Sequence, residues 1–387
     1  MRIYLDYNAT TPVDREVLDA MLPYFSGSFG NASSIHSAGQ RGRSAVDTAR
    51  ESVAALLGAK PSEIVFTCGG TEADNMALFG VVGRTRQQPV HVITTAIEHH
   101  AVLNSAQALE KQGVAVTYVS VGRTGVVNPE DIREAIRPET TLISVMLANN
   151  ELGTIQPIEE IGRISAEHDI FFHCDAVQAA GKLPLDVNRL GVDLLSISAH
   201  KIYGPKGVGA LYVRTGTELE PIFHGGHHER DRRPGTENVP GIVGMGQAAD
   251  LAARGLATDA ARLAALRDKL EAALLSLPGV RLNGDPQRRV SNTCNVSFDA
   301  AGGEALLIAL DLQGIACSTG AACSSGAVEP SHVLTAIGLS ADQARSSLRF
   351  SLGRPTTAEE IDCAIEIIPA VVERLRALSP LSVHAAT

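Results

Sequence analysis

The sequence predicts an α/β fold, in which helices cover both faces of a mostly parallel sheet, together with a smaller α+β domain. From about residue 60 to 215, short apolar runs alternate with segments of helical pattern, such as Thr71–Gly83 and Pro157–His168. This alternation favours a parallel sheet, because a crossover between parallel strands usually contains a helix. Seven strands are expected, at Ile64–Cys68, His91–Thr95, Val114–Val119, Thr141–Leu147, Ile170–Cys174, Asp193–Ser198 and Val208–Val213.

The pattern changes after Asn238. Leucines then recur at helical spacing from Leu263 to Leu277, with Thr258 as the expected N-cap of that helix. Further strands are expected at Cys294–Phe298 and Ser347–Leu352. We therefore assign residues 14–257 to a large domain, and residues 1–13 together with 258–387 to a small domain.

The composition indicates a compact enzyme. The formal net charge of −10 argues against a nucleic-acid partner, since phosphate binding requires clustered Lys and Arg. No apolar run approaches the roughly 20 residues of a membrane span, and polar side chains interrupt the first residues, unlike a signal peptide. We expect a cytoplasmic protein without a membrane partner, in which the six cysteines are reduced and no metal-ligand spacing occurs.

Polar and ionisable side chains follow five of the predicted strands. Ligands of open parallel sheets bind outside the carboxyl ends of the strands, so these side chains are predicted to share one site. The segments are Gly69-Gly70-Thr71-Glu72, Glu98-His99-His100, Asn149-Asn150-Glu151, Asp175-Ala-Val-Gln178 and Ala199-His200-Lys201.

Three of these segments have both a structural and a functional interpretation. Gly69-Gly70-Thr71 is either a strand-to-helix turn or a phosphate site at a helix N-terminus. Asp175 is either a helix cap or the ionised partner of the ring nitrogen of pyridoxal phosphate. Lys201 is either a solvated turn residue or a lysine that loses its proton readily and forms a Schiff base. Because all three are expected at one sheet edge, we favour a pyridoxal phosphate enzyme with Lys201 as its Schiff-base lysine.

Two pairs of adjacent histidines occur in the chain. One of His99 and His100 is expected to stack on a flat ring and to transfer protons, while the other is exposed. His227 and His228 are assigned no metal, because two adjacent histidines rarely ligate one ion.

A reactive cysteine on a loop is expected in the small domain. Residues 314–326 are small and glycine-rich, which predicts a mobile loop that carries Cys323 as a nucleophile; an incidental surface cysteine is the alternative. Cys317 is expected to end a strand.

Arg349 lies in an apolar stretch and needs an anionic partner, either a substrate carboxylate or a structural salt bridge. Arg354 is the alternative ligand for that carboxylate.

Three specific motifs occur in the chain: Ser198-Ala-His-Lys-Ile-Tyr-Gly-Pro-Lys-Gly207, Arg233-Pro-Gly-Thr-Glu-Asn238 and Ala322-Cys-Ser-Ser-Gly-Ala-Val-Glu-Pro330. With these motifs, Tyr4–Pro12 and Arg349–Arg354, nearly the whole chain resembles the class I cysteine desulfurases of iron–sulfur cluster biogenesis, which have the fold type I, aminotransferase-like architecture. The resemblance implies a homodimer that converts L-cysteine to L-alanine and passes the sulfur to an acceptor protein, such as an iron–sulfur scaffold.

The resemblance also implies roles for individual residues. Lys201 forms the Schiff base, Cys323 becomes the persulfide, and His99 stacks on the cofactor ring and handles protons. Arg349 binds the substrate carboxylate, and Asn150 contacts both substrate and cofactor. No resident metal is implied, and any iron–sulfur cluster contact at Cys323 would be transient. The other cofactor-binding positions implied are Gly70, Thr71, Asp175, Gln178, Ser198, His200 and, reaching over from the other subunit, Thr236.

Departures from the family pattern leave some questions open. Gly226-His-His-Glu229 stands where members more often have a further Gly and a Gln, and Cys68 and Cys317 add thiols near the site. The C-terminal residues 379–387 lack the longer end with which some members contact a scaffold protein. Cluster assembly, tRNA thiolation and cofactor synthesis therefore all remain as destinations of the sulfur.

The alternatives to a desulfurase are a selenocysteine lyase, a related lyase or aminotransferase, and a non-catalytic scaffold that binds partners. Cys323 discriminates among them, because an aminotransferase needs no loop thiol and selenium elimination could tolerate its loss. An intact set of Lys201, Asp175 and Cys323 argues against the scaffold.

Overall fold

The computed structural model describes residues 2–85, 89–319 and 329–378. The strands in this part of the chain are β1 Ile3–Tyr4, β2 Ile64–Thr67, β3 His91–Thr95, β4 Ala115–Val119, β5 Thr140–Ser144, β6 Phe171–Asp175, β7 Leu194–Ser198, β8 Gly209–Val213, β9 Val280–Leu282, β10 Thr293–Phe298, β11 Ile315–Ala316 and β12 Ser347–Ser351. The helices are α1 Arg15–Met21, α2 Ser37–Leu57, α3 Gly70–Arg84, α4 His100–Glu110, α5 Pro129–Glu134, α6 Ile158–Glu167, α7 Val187–Leu190, α8 Val239–Leu275, α9 Gly303–Leu312, α10 His332–Ala336, α11 Ala341–Arg345 and α12 Ala358–Leu378.

Within these residues, seven strands form one sheet in the order β2-β8-β7-β6-β5-β3-β4. All are parallel except β8, which runs antiparallel to β2 and β7. The predicted α/β class and mostly parallel seven-stranded sheet are therefore confirmed. The prediction for β5 was too long at its carboxyl end. Regular pairing stops at Ser144, although Val145 and Leu147 still donate backbone hydrogen bonds to β6.

Apolar side chains cover both faces of this sheet. Successive residues of a strand point to opposite faces, and in β2 Ile64 and Phe66 join one buried cluster while Val65 joins another. Helices α2, α6 and α8 pack on the first face, and α3 and α4 on the second. This packing fixes β2, β6 and β7 rigidly, so that the residues after them occupy defined positions.

A three-stranded antiparallel sheet, β12-β10-β9, belongs to the smaller part of the fold. Its buried side chains form a separate cluster with α9 and α12. The N-terminal segment connects the two parts, because Leu5 bonds to Ala316, Tyr7 to Ser351 and Thr11 to His200 through their backbones. Residues near position 8 are thus held at the edge of the large sheet.

The prediction that Thr258 caps a helix was wrong. Helix α8 runs without interruption through Thr258, because the alanine-rich residues 248–265 have high helix propensity and a single Gly255 does not stop them. The first part of α8 packs in the large cluster and its last part in the small one. The boundary placed near residue 257 falls inside this helix and stays a prediction. Pro157, expected as the first helical residue of α6, is instead its N-cap.

None of the helices in the described ranges is long and apolar enough to cross a bilayer.

Candidate active site

A cavity of about 340 Å³ lies at the carboxyl ends of β2, β6 and β7. These strands point the same way, so the residues that follow them meet at one edge of the sheet. The cavity brings together ten of the residues that the sequence assigned to the site: Gly70, Thr71, His99, Asn150, Asp175, Gln178, Ser198, His200, Lys201 and Arg349.

The N-terminus of α3 contributes to the cavity through Gly70 and Thr71. The first N–H groups of a helix have no acceptor inside the helix, and the helix dipole adds partial positive charge there. A Cβ at position 70 would lie 2.7 Å from Val177 Cγ2, so a side chain there would force a shift, and Ser198 Cβ would be in ordinary contact at 3.7 Å. Backbone N–H groups and a serine hydroxyl therefore stand side by side, which suits a phosphate.

Lys201 lies in the 3₁₀ turn Ala199–Lys201 that follows β7. Its Nζ donates hydrogen bonds to the backbone oxygens of Asn8, at 2.6 Å, and Ala9, at 2.7 Å. Desolvation, together with the nearby charge of Arg349, lowers the pKa of Lys201 to about 8. A lysine that releases its proton near neutral pH can act as a nucleophile or base.

Asp175 is the last residue of β6 and is buried. Its Oδ1 accepts a hydrogen bond from the Val177 N–H at 2.9 Å, and burial raises its pKa to about 6. Asp74 lies nearby with its pKa raised well above the usual range, again mainly by burial. Asp74 Oδ1 has no hydrogen-bond partner among the described residues. Two buried carboxyl groups of this kind favour a cationic N–H group in the cavity.

His99 is the N-cap of α4, and its Nδ1 accepts a hydrogen bond from the Ala101 N–H at 3.1 Å. Since Nδ1 is the acceptor, the proton of the neutral ring resides on Nε2. Desolvation and the positive charge of Lys201 lower the pKa of His99 to about 4. The imidazole is therefore neutral at physiological pH and carries an N–H that it can donate.

Arg349, on β12, closes the cavity from the smaller part of the fold. Its side chain is buried and donates to Asp6 Oδ1 at 2.7 Å and to the Asn150 backbone oxygen at 2.9 Å. Arg349 Nε has no hydrogen-bond partner among the described residues. The salt bridge expected as an alternative to carboxylate binding thus exists with Asp6, yet the guanidinium also lines the cavity, and these two hydrogen bonds use only two of its five N–H groups.

Comparison with known proteins agrees with this geometry. Residues 3–363 match the aminotransferase class-V family. The chain is 51% identical over 380 residues to a protein of Methanosarcina thermophila named cysteine desulfurase IscS, covering 98% of this chain and 94% of that protein. A cysteine desulfurase of Trichormus azollae is also 51% identical, over 379 residues that make up 98% of this chain and 94% of that protein.

The chain belongs to the aminotransferase class-V family and, within it, to the cysteine desulfurases. Solved structures show the same relationship. A NifS-like protein superposes with a TM-score of 0.91 at 39% identity, over 97% of this chain and 100% of the other. A second structure, SspA in complex with cysteine, has a TM-score of 0.82 and 41% identity, over 91% and 99% of the two chains. The fold type, the enzyme class and pyridoxal phosphate as cofactor, all predicted from the sequence, are confirmed.

The residues of this cysteine desulfurase fit its cofactor. The α3 N-terminus and Ser198 can hold a phosphate, Asp175 can pair with a protonated ring nitrogen, and Lys201 can bond to an aldehyde carbon. Gln178 Nε2 donates to the Asn8 backbone oxygen at 2.9 Å and has a second N–H available for a ring substituent. The electron-withdrawing ring would supply the capacity to stabilise negative charge at a substrate carbon.

Some predicted site residues do not lie in the cavity. Thr236 is exposed and is absent from the cavity lining of its own chain. Cys323 lies outside the described residues. Arg354, the alternative carboxylate ligand, is also absent from the lining and instead stacks on Tyr203, with its guanidinium carbon 4.0 Å from the ring centre.

The two additional thiols have raised pKa values. Cys317 follows β11, as expected, and burial raises its pKa to about 12. Cys68 is exposed, but partial desolvation and the carboxylate of Glu72 raise its pKa to about 11. Both thiols are protonated at neutral pH and are weak nucleophiles in this state.

Sequence reasoning missed three residues at or beside the cavity. Asn8 and Asp74 line it, and the Lys182 ammonium group bonds to Gln178 Oε1 at 2.6 Å. The spacing of Gln178 and Lys182, four residues apart after a strand, could have indicated that their side chains meet. For Asn8 the sequence carries no such signal, because its neighbours in the fold are far away along the chain.

Proposed function

We propose that this desulfurase removes sulfur from L-cysteine and transfers it to Cys323, with Lys201 holding the cofactor. The observation that carries the proposal is the convergence of Lys201, Asp175, His99 and Arg349 around one cavity. The neighbouring structure of SspA in complex with cysteine supports cysteine as the substrate.

Each residue has a role that follows from its surroundings. Arg349 binds the carboxylate of the amino acid, since its guanidinium lines the cavity and can form charge-assisted hydrogen bonds with a carboxylate. Lys201, with its lowered pKa, accepts the proton from the substrate α-carbon. Asp175 would be ionised beside a protonated ring nitrogen, and the neutral His99 would donate a hydrogen bond through its Nε2–H to a substrate or cofactor atom, which stabilises negative charge there.

The sulfur transfer itself balances without an oxidant. The Cys323 thiolate attacks the substrate sulfur, so that an S–S bond forms while the substrate C–S bond breaks. The carbon that loses sulfur takes up a proton and leaves as the methyl group of alanine. The persulfide on Cys323 then passes to an acceptor, for which an iron–sulfur scaffold protein is our proposal.

A homodimer is part of the same proposal. Thr236 is exposed and lies outside the cavity of its own chain, which supports a contact with the phosphate of the partner's cofactor. We also propose a cytoplasmic location, which suits the free thiol that Cys323 needs, because thiols stay reduced in that compartment.

To test this function, purified protein is incubated with L-cysteine and a reductant, and the alanine and sulfide produced are measured. Cys323→Ala should lose at least about 99% of sulfide production, since it removes the attacking nucleophile. Cys68→Ala is the matched control and should retain the wild-type rate, because that thiol is protonated. Sulfide production by Cys323→Ala at the wild-type rate would exclude transfer to Cys323.

Lys201→Ala tests the cofactor assignment independently. It should abolish the visible absorption band that pyridoxal phosphate acquires when it is joined to a lysine. A variant that retains the band would show that another lysine holds the cofactor.

A further inference from the structure

We propose that Lys182 is a positioning residue, which fixes the direction of the hydrogen bonds around Gln178 and Asn8 at the proposed cofactor site. The inference rests on the proposed function, because it concerns the groups that would face the cofactor ring. Lys182 Nζ lies 2.6 Å from Gln178 Oε1 and 3.3 Å from Asn8 Oδ1.

Lys182 has an N–H donor for each of the two amide oxygens whether its amine is protonated or neutral, whereas a side-chain amide can turn over and exchange its donor and acceptor ends. Lys182 therefore holds Oε1 of Gln178 toward itself and directs Nε2 away. One N–H of Nε2 goes to the Asn8 backbone oxygen at 2.9 Å. The other remains as a donor toward the cavity, where the oxygen of a ring hydroxyl can accept it.

The same argument orients the Asn8 side chain. Its Oδ1 accepts from Lys182 and, at 3.0 Å, from Asn292 Nδ2. Its Nδ2 must then donate, and it does so to the Asn150 backbone oxygen at 3.1 Å and to Thr293 Oγ1 at 2.8 Å. Since the Asn8 backbone oxygen is also an acceptor for Lys201, one network supports Gln178, Asn150 and Lys201.

An ordinary structural salt bridge does not account for Lys182. No carboxylate in the described ranges lies within ion-pair distance of its ammonium group, and its acceptors are two side-chain amide oxygens. Lysines removed from water are normally paired with an acid. Desolvation and the positive charges of Lys201 and Arg349 lower the pKa of Lys182 to about 7, so its contacts with Gln178 and Asn8 do not depend on a full charge.

The test compares Lys182→Met with Gln178→Leu and with the double variant, each prepared without cofactor and titrated with pyridoxal phosphate. One lost charge-assisted hydrogen bond corresponds to about a tenfold rise in the dissociation constant. We expect the dissociation constant of pyridoxal phosphate to rise about tenfold in each single variant and no further in the double variant. The visible absorption band should be shifted in both single variants when they are loaded with cofactor. Lys182→Arg, which keeps a donor-only cation, should recover part of the affinity and the band position.

Lys111→Met, the same change at an exposed lysine, is the control and should bind as the wild type does. If Lys182→Met fails to fold, Lys182→Gln replaces it, with an intermediate loss expected because glutamine can turn over. Wild-type affinity and band position in a folded Lys182 variant would overturn the proposal, and so would additive effects in the double variant. Failure of the proposed function appears separately, as an unchanged visible band in Lys201→Ala.

Discussion

Burial changes the chemistry of several side chains around the cavity. Lys201 and Lys182 have lowered pKa values, while Asp74, Asp175 and Glu98 have raised ones. In each case desolvation disfavours the charged form. The sequence predicted that Lys201 and Asp175 would be functional, but the size of these shifts depends on solvent exclusion, which only the folded chain provides.

Glu98 illustrates the consequence for stability. It is fully buried, and although Thr95 Oγ1 and the Met146 N–H both donate to Oε1, the other oxygen has no partner among the described residues. Burial raises its pKa to about 8, compared with about 4.3 in an unfolded chain. Between these values the folded state binds one more proton than the unfolded state, so the contribution of Glu98 to stability is present at low pH and is lost as pH rises toward 8.

The Glu98→Gln variant should therefore lose less stability than the wild type as pH rises from 5 to 8. The change removes the buried ionisation, whose largest effect is about 1.4 kcal/mol per pH unit. We expect the thermal midpoint of the variant, relative to the wild type, to rise steadily over this range in calorimetry. Glu134→Gln, the same change at an exposed position, should give a constant difference. A constant difference for Glu98→Gln as well would contradict the buried ionisation.

At the scale of elements, helix α3 shows how far the sequence determines the site. The step from an apolar strand to Gly69-Gly70-Thr71 predicted β2 and the start of α3 to within one residue, although the N-cap is Gly69 and Thr71, expected as a possible cap, lies inside the helix. Helix α8 was predicted less well, since its length depends on continuous packing against two cores, which no local cap reveals.

Gly70→Ala tests the role of the α3 N-terminus. The added Cβ would lie 2.7 Å from Val177 Cγ2, so the Val177 side chain, the helix start or the loop after Asp175 must shift. We expect an affinity for pyridoxal phosphate about tenfold lower, measured by titration of the cofactor-free protein, since overpacking costs about 1–3 kcal/mol. Gly83→Ala, near the other end of the same helix, should bind normally. Equal affinities of the two variants would exclude close packing at position 70 as a requirement.

The whole molecule brings together groups that are distant along the chain. Local patterns could not predict this, and only the family resemblance placed Arg349 in one site with Lys201. Asn8, Arg349 and Lys201 meet because the N-terminal segment crosses between the two sheets, and neither periodicity nor a motif specifies that crossing. Arg354 forms a further connection. Its backbone N–H donates to the Tyr203 hydroxyl at 2.6 Å, and its guanidinium lies 3.5 Å from both Asp14 and Asp259.

These contacts separate two roles that the sequence left open for Arg349 and Arg354. Tyr203 lies two residues after Lys201 with a φ of 68°, a left-handed conformation that is unfavourable for tyrosine and that Arg354 supports by stacking on the ring. Arg354 is absent from the cavity lining, whereas Arg349 is part of it. Arg354 should therefore act on stability alone, whereas Arg349 should act on substrate binding and, through its buried ion pair with Asp6, on stability as well.

Arg354→Met should lower the free energy of unfolding by about 2 kcal/mol, because it removes the cation–π contact and two weak ion pairs. The same variant should change KM for L-cysteine less than about threefold. Arg354→Lys keeps the charge without the planar stack, so it should recover only part of that loss. Arg349→Met should instead raise KM by about a hundredfold, as expected when a bidentate charge-assisted contact to a carboxylate is removed. Thermal unfolding and steady-state kinetics on the same preparations separate the two effects. If Arg354→Met raised KM a hundredfold while Arg349→Met left it unchanged, the assignment of the carboxylate ligand would have to be exchanged between the two arginines.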